Sequence, residues 1–262
     1  MAKGIGALPS QTIRAMIAAG FIRGANEANT RPASLDLAVS PEIYRVEGIF
    51  QPRPGESIRS VLGTAGATQH DLAYPLERRV TYLAKFRESL ALPPDVYAYC
   101  NPKSSTGRND IQVRVVADGV PRYDAAAPAG FHGDLWVVIE PKSFPVRMQP
   151  GCTLSQIRFF NHDTRFDELE LQIAFERDKL LWSGDGQPFS YRDLKIADND
   201  GSLILTIGLE GDTVGWECLG SSRVFDFSKT NHYAPGDFFR PIRVNDNRVH
   251  LKQNGFYIFR TR

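Results

Sequence analysis

From Ser34 to Phe160 the chain is a succession of short apolar runs, each closed by a proline or a glycine. Ser34–Val39 alternates Leu35, Leu37 and Val39 with smaller or polar residues, the period-two pattern of a strand. Asp36 on that run is either exposed or hydrogen-bonded to a neighbouring loop. Tyr44–Phe50, Arg79–Phe86, Val96–Cys100, Ile111–Val116 and Leu135–Ile139 follow as further strand candidates. They are punctuated by Gln51-Pro52-Arg53-Pro54-Gly55-Glu56, Leu92-Pro93-Pro94-Asp95 and Asp118-Gly119. Many short strands with little helix between them close into a β-barrel or a sandwich. Helix signals are few. Ser10 is a candidate N-cap for Gln11–Ala19, with Ile13, Met16 and Ile17 on one face and Gly20 as the stop. Ser57–Leu62 is a second, shorter candidate, and Gly63–Gln69 looks like an exposed loop.

The chain has 262 residues, more than one small β domain needs. Lys and Arg number 31 against 30 Asp and Glu, so the net charge of +1 gives no global attraction to nucleic acid or to a membrane. Any anion must be held by a local arrangement. The 3 cysteines are odd in number and widely spaced, as expected of reduced thiols in a cytoplasmic protein. No apolar run approaches the roughly 20 residues of a membrane helix, and Met1-Ala2-Lys3-Gly4 lacks the apolar core of a signal peptide.

The densest chemistry lies between Asn101 and Phe160. Asn101-Pro102-Lys103-Ser104-Ser105-Thr106-Gly107-Arg108 puts a lysine, hydroxyls, a glycine and an arginine after a proline. NH groups, hydroxyls and cations in such a loop can converge on phosphates, although loops of this composition are also ordinary turns. Gly130-Phe131-His132-Gly133-Asp134-Leu135 and Pro150-Gly151-Cys152-Thr153-Leu154-Ser155-Gln156-Ile157 follow in order. Together with Pro32-Ala33-Ser34-Leu35-Asp36-Leu37 upstream, this series resembles the dCTP deaminase and dUTPase family. The resemblance implies a mainly β fold, a dUTPase-like distorted barrel of the β-clip type with a short N-terminal helix.

A second section begins near Asn161. Asp167–Phe175 repeats the N-terminal helical pattern, and Asp200–Ile207 resembles the Ser34–Leu37 strand. Trp216–Leu219 and Phe225–Phe227 are short strand candidates, and Arg248–Phe259 resembles the run into the central loop. The offset of the two copies is roughly 160–170 residues. The expected organisation is a nucleotide-binding lobe at 1–160 and a partial second copy at 161–262, as in two-lobed dCTP deaminases. Because the second copy ends before its own central loop should begin, a truncated second lobe is expected.

What the family does supplies the expected roles. The nucleotide, dCTP or dUTP and in some settings dTTP, sits between copies of a trimer, its triphosphate carrying Mg²⁺, so a homo-oligomer is expected. By resemblance Ser104 and Arg108 are catalytic. Lys103, Ser105, Gly107, Asp124, Trp136, Val138 and Gln156 are substrate-binding. For Asp124 a turn carboxylate, and for Gln156 a plain strand residue, are equally open. Zinc deaminases need a Pro-Cys-x-x-Cys pair, which this sequence does not contain, and the family uses no zinc. The family's deaminases also place a glutamate on the strand after Gly-aromatic-x-Gly, where it serves as proton shuttle. That position is Val138. Glu140 is the nearest carboxylate and the catalytic candidate for the acid/base role, although it lies about 6–7 Å further along a regular strand and would need a bulge to replace the missing group. Restoring a carboxylate by Val138→Glu is therefore expected to raise activity. The primary expectation is deamination of dCTP to dUTP and ammonia. The alternatives are a dUTP pyrophosphatase using Asp124 and a non-catalytic nucleotide-binding or assembly lobe.

Overall fold

The computed structural model describes residues 5–194, 206–244 and 248–261. The chain forms two compact units, one of residues 1–163 and 220–234 and one of residues 164–219 and 235–262. The segment 220–234, which the sequence alone groups with the second section, thus belongs to the first unit.

Six long strands build the first unit: β1 (Ser34–Val46), β2 (Thr81–Ala91), β3 (Tyr97–Pro102), β4 (Ile111–Ala117), β5 (His132–Pro141) and β6 (Thr153–Phe160). They pair in the order β4–β5–β2–β1–β6–β3, with the short strand Ala125–Ala126 beyond β3. The two runs expected as separate strands at Ser34–Val39 and Tyr44–Phe50 are joined in one strand that ends at Val46, and residues 47–50 lie in the loop that follows. The strand carries an irregularity between Val39 and Ile43, and Pro41 sits there, where no ladder NH is demanded of it. All six residues from Ser34 to Val39 are buried, so the polar positions of the alternation are covered as well as the apolar ones. Leu35, Leu37, Tyr82, Phe86, Val115, Val137, Ile157 and Phe159 form the interior.

Asp124 brings the ends of the sheet together. Its NH donates to the Val115 carbonyl at 2.8 Å, and its own carbonyl accepts from the Cys100 NH at 2.9 Å. The edge strand β4 is thereby joined to β3 and the barrel nearly closes, which removes the exposed edges that β proteins must protect.

Helix α1 (Ser10–Ala18) buries Ile13 and Met16, but its N-cap is Pro9 rather than the expected Ser10. Ser10 instead opens the helix and donates its NH to the Pro32 carbonyl at 2.8 Å, fixing the helix to the approach to β1. Helix α2 (Ile58–Val61) is capped by Ser57, whose hydroxyl accepts from the Ser60 NH. Helix α2 lies within the segment 47–67, whose Phe50, Ile58, Leu62 and Ala67 pack with Leu83, Val116, Trp136 and Val138 of the sheet.

The second unit contains helix α4 (Glu168–Asp178), numbered after α3 below, and a three-stranded antiparallel sheet of Gly215–Cys218, Phe239–Ile242 and Tyr257–Phe259. Asp167 and Glu170 form a reciprocal capping box at the start of α4. The strand expected at Asp200–Ile207 falls outside the described residues except for its last two positions. No helix among the described residues is long and apolar enough to cross a membrane.

Candidate active site

Pro102 ends β3, and the chain turns at once into the short helix α3 (Ser104–Arg108), with Lys103 as its N-cap. What the sequence presents as an open loop is therefore a helical turn. Its anchor is a β-bulge in β6. Thr153 lies opposite Ala38 and Ser155 opposite Leu37, so Leu154 is the extra residue. Its carbonyl accepts both the Lys103 NH and the Thr106 hydroxyl, each at 2.9 Å. Thr106 is fully buried, and the Asn109 side chain closes the turn by donating to the Ser105 carbonyl at 2.7 Å. With the turn pinned from beneath, Ser104, Gly107 and Arg108 face solvent and Ser105 is half-buried. A Cβ at Gly107 would meet nothing within 4 Å, so packing within the chain does not require glycine there.

Lys103 is held more tightly than a surface lysine. Its Nζ donates to Asp36 Oδ2 at 2.7 Å and to Thr153 Oγ1 at 2.8 Å. Arg31 reaches the same Asp36 oxygen, at 3.0 Å from Nε and 2.9 Å from a terminal nitrogen, with its guanidinium half-exposed. One buried carboxylate thus serves two cations. The triad keeps a net positive charge, and Arg108 adds another on the turn. Register explains the meeting of distant residues, since Gln156 on β6 pairs with Asp36 on β1 on one side and with Asn101 on β3 on the other. The Ser34 hydroxyl donates to Gln156 Oε1 at 3.4 Å. Asp36, Gln156 and Asn101 therefore form a polar row ending at the turn. Arg31, Thr106 and the Leu154 bulge are absent from the sequence-derived set, because nothing in a linear pattern announces a bulge or a shared carboxylate.

Asp124 has a positive φ of 58° and a carboxylate with both oxygens engaged. Oδ1 accepts from the Val115 NH at 2.8 Å and Oδ2 from Arg114 at 2.6 Å. These are bonds of barrel closure.

The residues expected along β5 lie in different surroundings. Trp136, 1% exposed, and Val138, 6% exposed, belong to an apolar cluster with Val46, Ile58, Leu83 and Val116, and Leu62 and Tyr123 pack against it. Arg59 and Lys85 lie over the Trp136 ring at 5.7 and 6.0 Å from its centre. Asp118 fastens α2 there by accepting from the Ile58 NH at 2.7 Å and the Asp134 NH at 3.0 Å. The β4–β5 ladder runs without a register shift from Ala117↔Leu135 to Ile111↔Pro141. No bulge carries Glu140 back to the Val138 position, and its carboxylate pairs with Lys142 at 2.6 Å. Nearby, burial pushes the Asp110 carboxyl above its ordinary range, and Ser143 donates to it at 2.5 Å. Among the described residues no group of three or more His, Cys, Asp and Glu is placed to hold a metal ion.

A barrel closed by a turn aspartate, with a cationic turn pinned to a bulge, is the setting in which the motifs of the expected family lie. Residues 4–163 match the family model of the 2'-deoxycytidine 5'-triphosphate deaminase (DCD) N-terminal domain. The chain belongs to the dCTP deaminase family. The crystal structure of 2'-deoxycytidine 5'-triphosphate deaminase from Agrobacterium tumefaciens superposes with a TM-score of 0.86 at 31% identity, over 98% of this chain and 74% of that one. No curated protein sequence matches the chain. Membership in the dCTP deaminase family carries nucleotide binding with it, and the mainly β, barrel-like fold expected from the motifs is the fold observed.

Proposed function

We infer that the chain binds the magnesium complex of dCTP through the Lys103–Arg108 turn and takes part in its deamination to dUTP and ammonia without zinc. The single observation behind this reading is the cationic turn built on the Leu154 bulge and the Asp36 triad, in a member of the dCTP deaminase family. Arg108, with Ser104 beside it, offers a fork and a hydroxyl to phosphate oxygens, while Lys103 and Arg31 supply fixed positive charge behind them. Magnesium comes with the nucleotide as part of the substrate. The proton shuttle is a carboxylate other than residue 138. On β5 that is Glu140, and a neighbouring copy in a homo-oligomer is the other source.

The Val138 cluster favours a second reading, a lobe that binds nucleotide and leaves the proton transfers to another. Pyrophosphate release is disfavoured by Asp124, whose carboxylate is committed to Arg114 and Val115. The test is to incubate the protein and its Glu140→Gln variant with magnesium and dCTP and to follow ammonia and pyrophosphate together. Ammonia from the wild type, cut by at least about 100-fold in the variant, is the expected result. Equal ammonia from both removes Glu140. Bound dCTP with no ammonia leaves the binding lobe, and pyrophosphate would move the chain to the other branch of the fold.

A further inference from the structure

Glu88 is 0% exposed, and its carboxyl has no cationic partner within hydrogen-bond reach among the described residues. Its Oε2 accepts from the Ala38 NH at 3.0 Å, and Oε1 has no partner among the described residues. Burying such a group is unfavourable, and a leucine would fill the space without that cost. What it touches is therefore informative. The β1–β2 ladder ends at Val39↔Phe86. Beyond that pair β2 turns its edge to the short strand Ile22–Arg23, which pairs with Leu90 and Ser89. Gly24 packs so closely on the Arg87 carbonyl that no side chain fits between them. The next amide of β1, that of Ala38, receives the Glu88 side chain in place of a main-chain carbonyl. On its other edge Ala38 pairs with Thr153, at the bulge whose Leu154 carbonyl holds Lys103 and Thr106. Two residues along β1, Asp36 holds the Lys103 ammonium.

We propose that Glu88 is the positioning residue of the Lys103–Arg108 turn: by holding Ala38 from the β2 side it fixes the short stretch of β1 and β6 that presents Asp36, Thr153 and the Leu154 carbonyl to Lys103. The role needs an acceptor oxygen and not a charge. Burial pushes the Glu88 carboxyl up to about 7, and both of its protonation states keep an oxygen for the Ala38 NH. The ligand consequence rests on the turn binding triphosphate, whereas the positioning itself does not.

The test separates the two. Amide hydrogen exchange over residues 103–106 reads the turn without any ligand, and titration with magnesium and dCTP reads its use. Glu88→Leu is expected to speed exchange of these amides by about tenfold or more and to weaken dCTP binding about 5- to 30-fold, while Glu88→Gln stays within about twofold of wild type in both. In a Lys103→Met background Glu88→Leu should cost no further affinity, because its effect runs through Lys103. Glu88→Met, unbranched and of similar length, serves where the leucine variant does not fold. A folded Leu or Met variant with wild-type exchange overturns the proposal, as does an affinity loss that multiplies with that of Lys103→Met. Failure of both variants to fold would assign Glu88 to the fold as a whole and equally overturn it. Wild-type protein that binds no dCTP defeats the triphosphate reading alone, since the exchange experiment still decides the positioning role.

Discussion

The Lys103 turn and the Val138 cluster are built on the same barrel and have opposite chemistry. At the turn, strands from three distant stretches converge to hold a lysine against a buried carboxylate. At Val138 the loop 47–67 folds down, α2 inserts Ile58, and the site that the family resemblance reserves for a proton shuttle is filled by hydrocarbon. The difference lies in what burial asks of each place. Removing a carboxylate from an apolar face relieves a desolvation cost, so packing favours the loss. Removing Asp36 would leave Lys103 and Arg31 facing each other without their shared carboxylate, and removing Lys103 would leave the buried Asp36 with the half-exposed Arg31 alone, so electrostatics resists either change at the turn.

The largest effect expected from breaking this contrast is at Val138. Sequence reasoning makes Val138→Glu a gain-of-function change, but the structure points the other way. An unpaired carboxylate between Leu83, Val116 and Trp136 is expected to destabilise the protein by about 3 kcal/mol or more. At this chain length that is a fall in Tm of roughly 6–12 °C. Ammonia release from dCTP should not rise. A thermal melt unchanged from wild type, with more ammonia, would show that the cluster opens in solution.

Glu88 is the natural counterpart, a carboxyl the fold already buries. Its folded-state value lies near 7, against an ordinary 4.5. Between those values the folded state holds a proton that the unfolded chain has released. Stability from this group is therefore complete below about 4.5 and is lost as pH rises to about 7, by about 3 kcal/mol in all. Denaturant unfolding at pH 5 and pH 8, wild type against Glu88→Gln, isolates the contribution. The wild type should lose more stability across that interval by about this amount. Equal slopes would mean that Glu88 titrates in the folded protein as it does in the unfolded one.

The barrel was legible because period-two alternation and Pro/Gly punctuation are local signals, and so were Ile13 and Met16 on α1 and the helical pattern that begins at Asp167. Pro41 splits the Ser34–Val46 pattern into two apparent strands, yet a proline at a strand irregularity breaks no ladder bond. The candidate residues of the turn were legible as a motif, but their holding was not. Lys103 meets Asp36 through a β1–β6–β3 register, and its backbone anchor is one extra residue in β6, which no side-chain pattern encodes. Asp124 shows the reverse case. Its place in the motif order suggested contact with the nucleotide, while its positive φ and closure bonds become visible only when β3 and β4 are brought together.

The smallest effect expected is at the exposed end of the turn. Arg108 lies at the solvent face of α3, outside the Asp36 triad, so Arg108→Ala should leave the melting temperature within about 1–2 °C of wild type. If its guanidinium grips the triphosphate, affinity for magnesium-dCTP should fall by about 1.5–3 kcal/mol, roughly ten- to a hundredfold. The loss should shrink as salt is raised, because an exposed charge is screened far more than the largely buried Lys103–Asp36 pair. Affinity that follows Lys103 and ignores Arg108 would place the phosphates against the triad itself, with Arg31 and not Arg108 as the second cation. The binding half of the site would then be the buried cluster and not the motif that first drew attention to it.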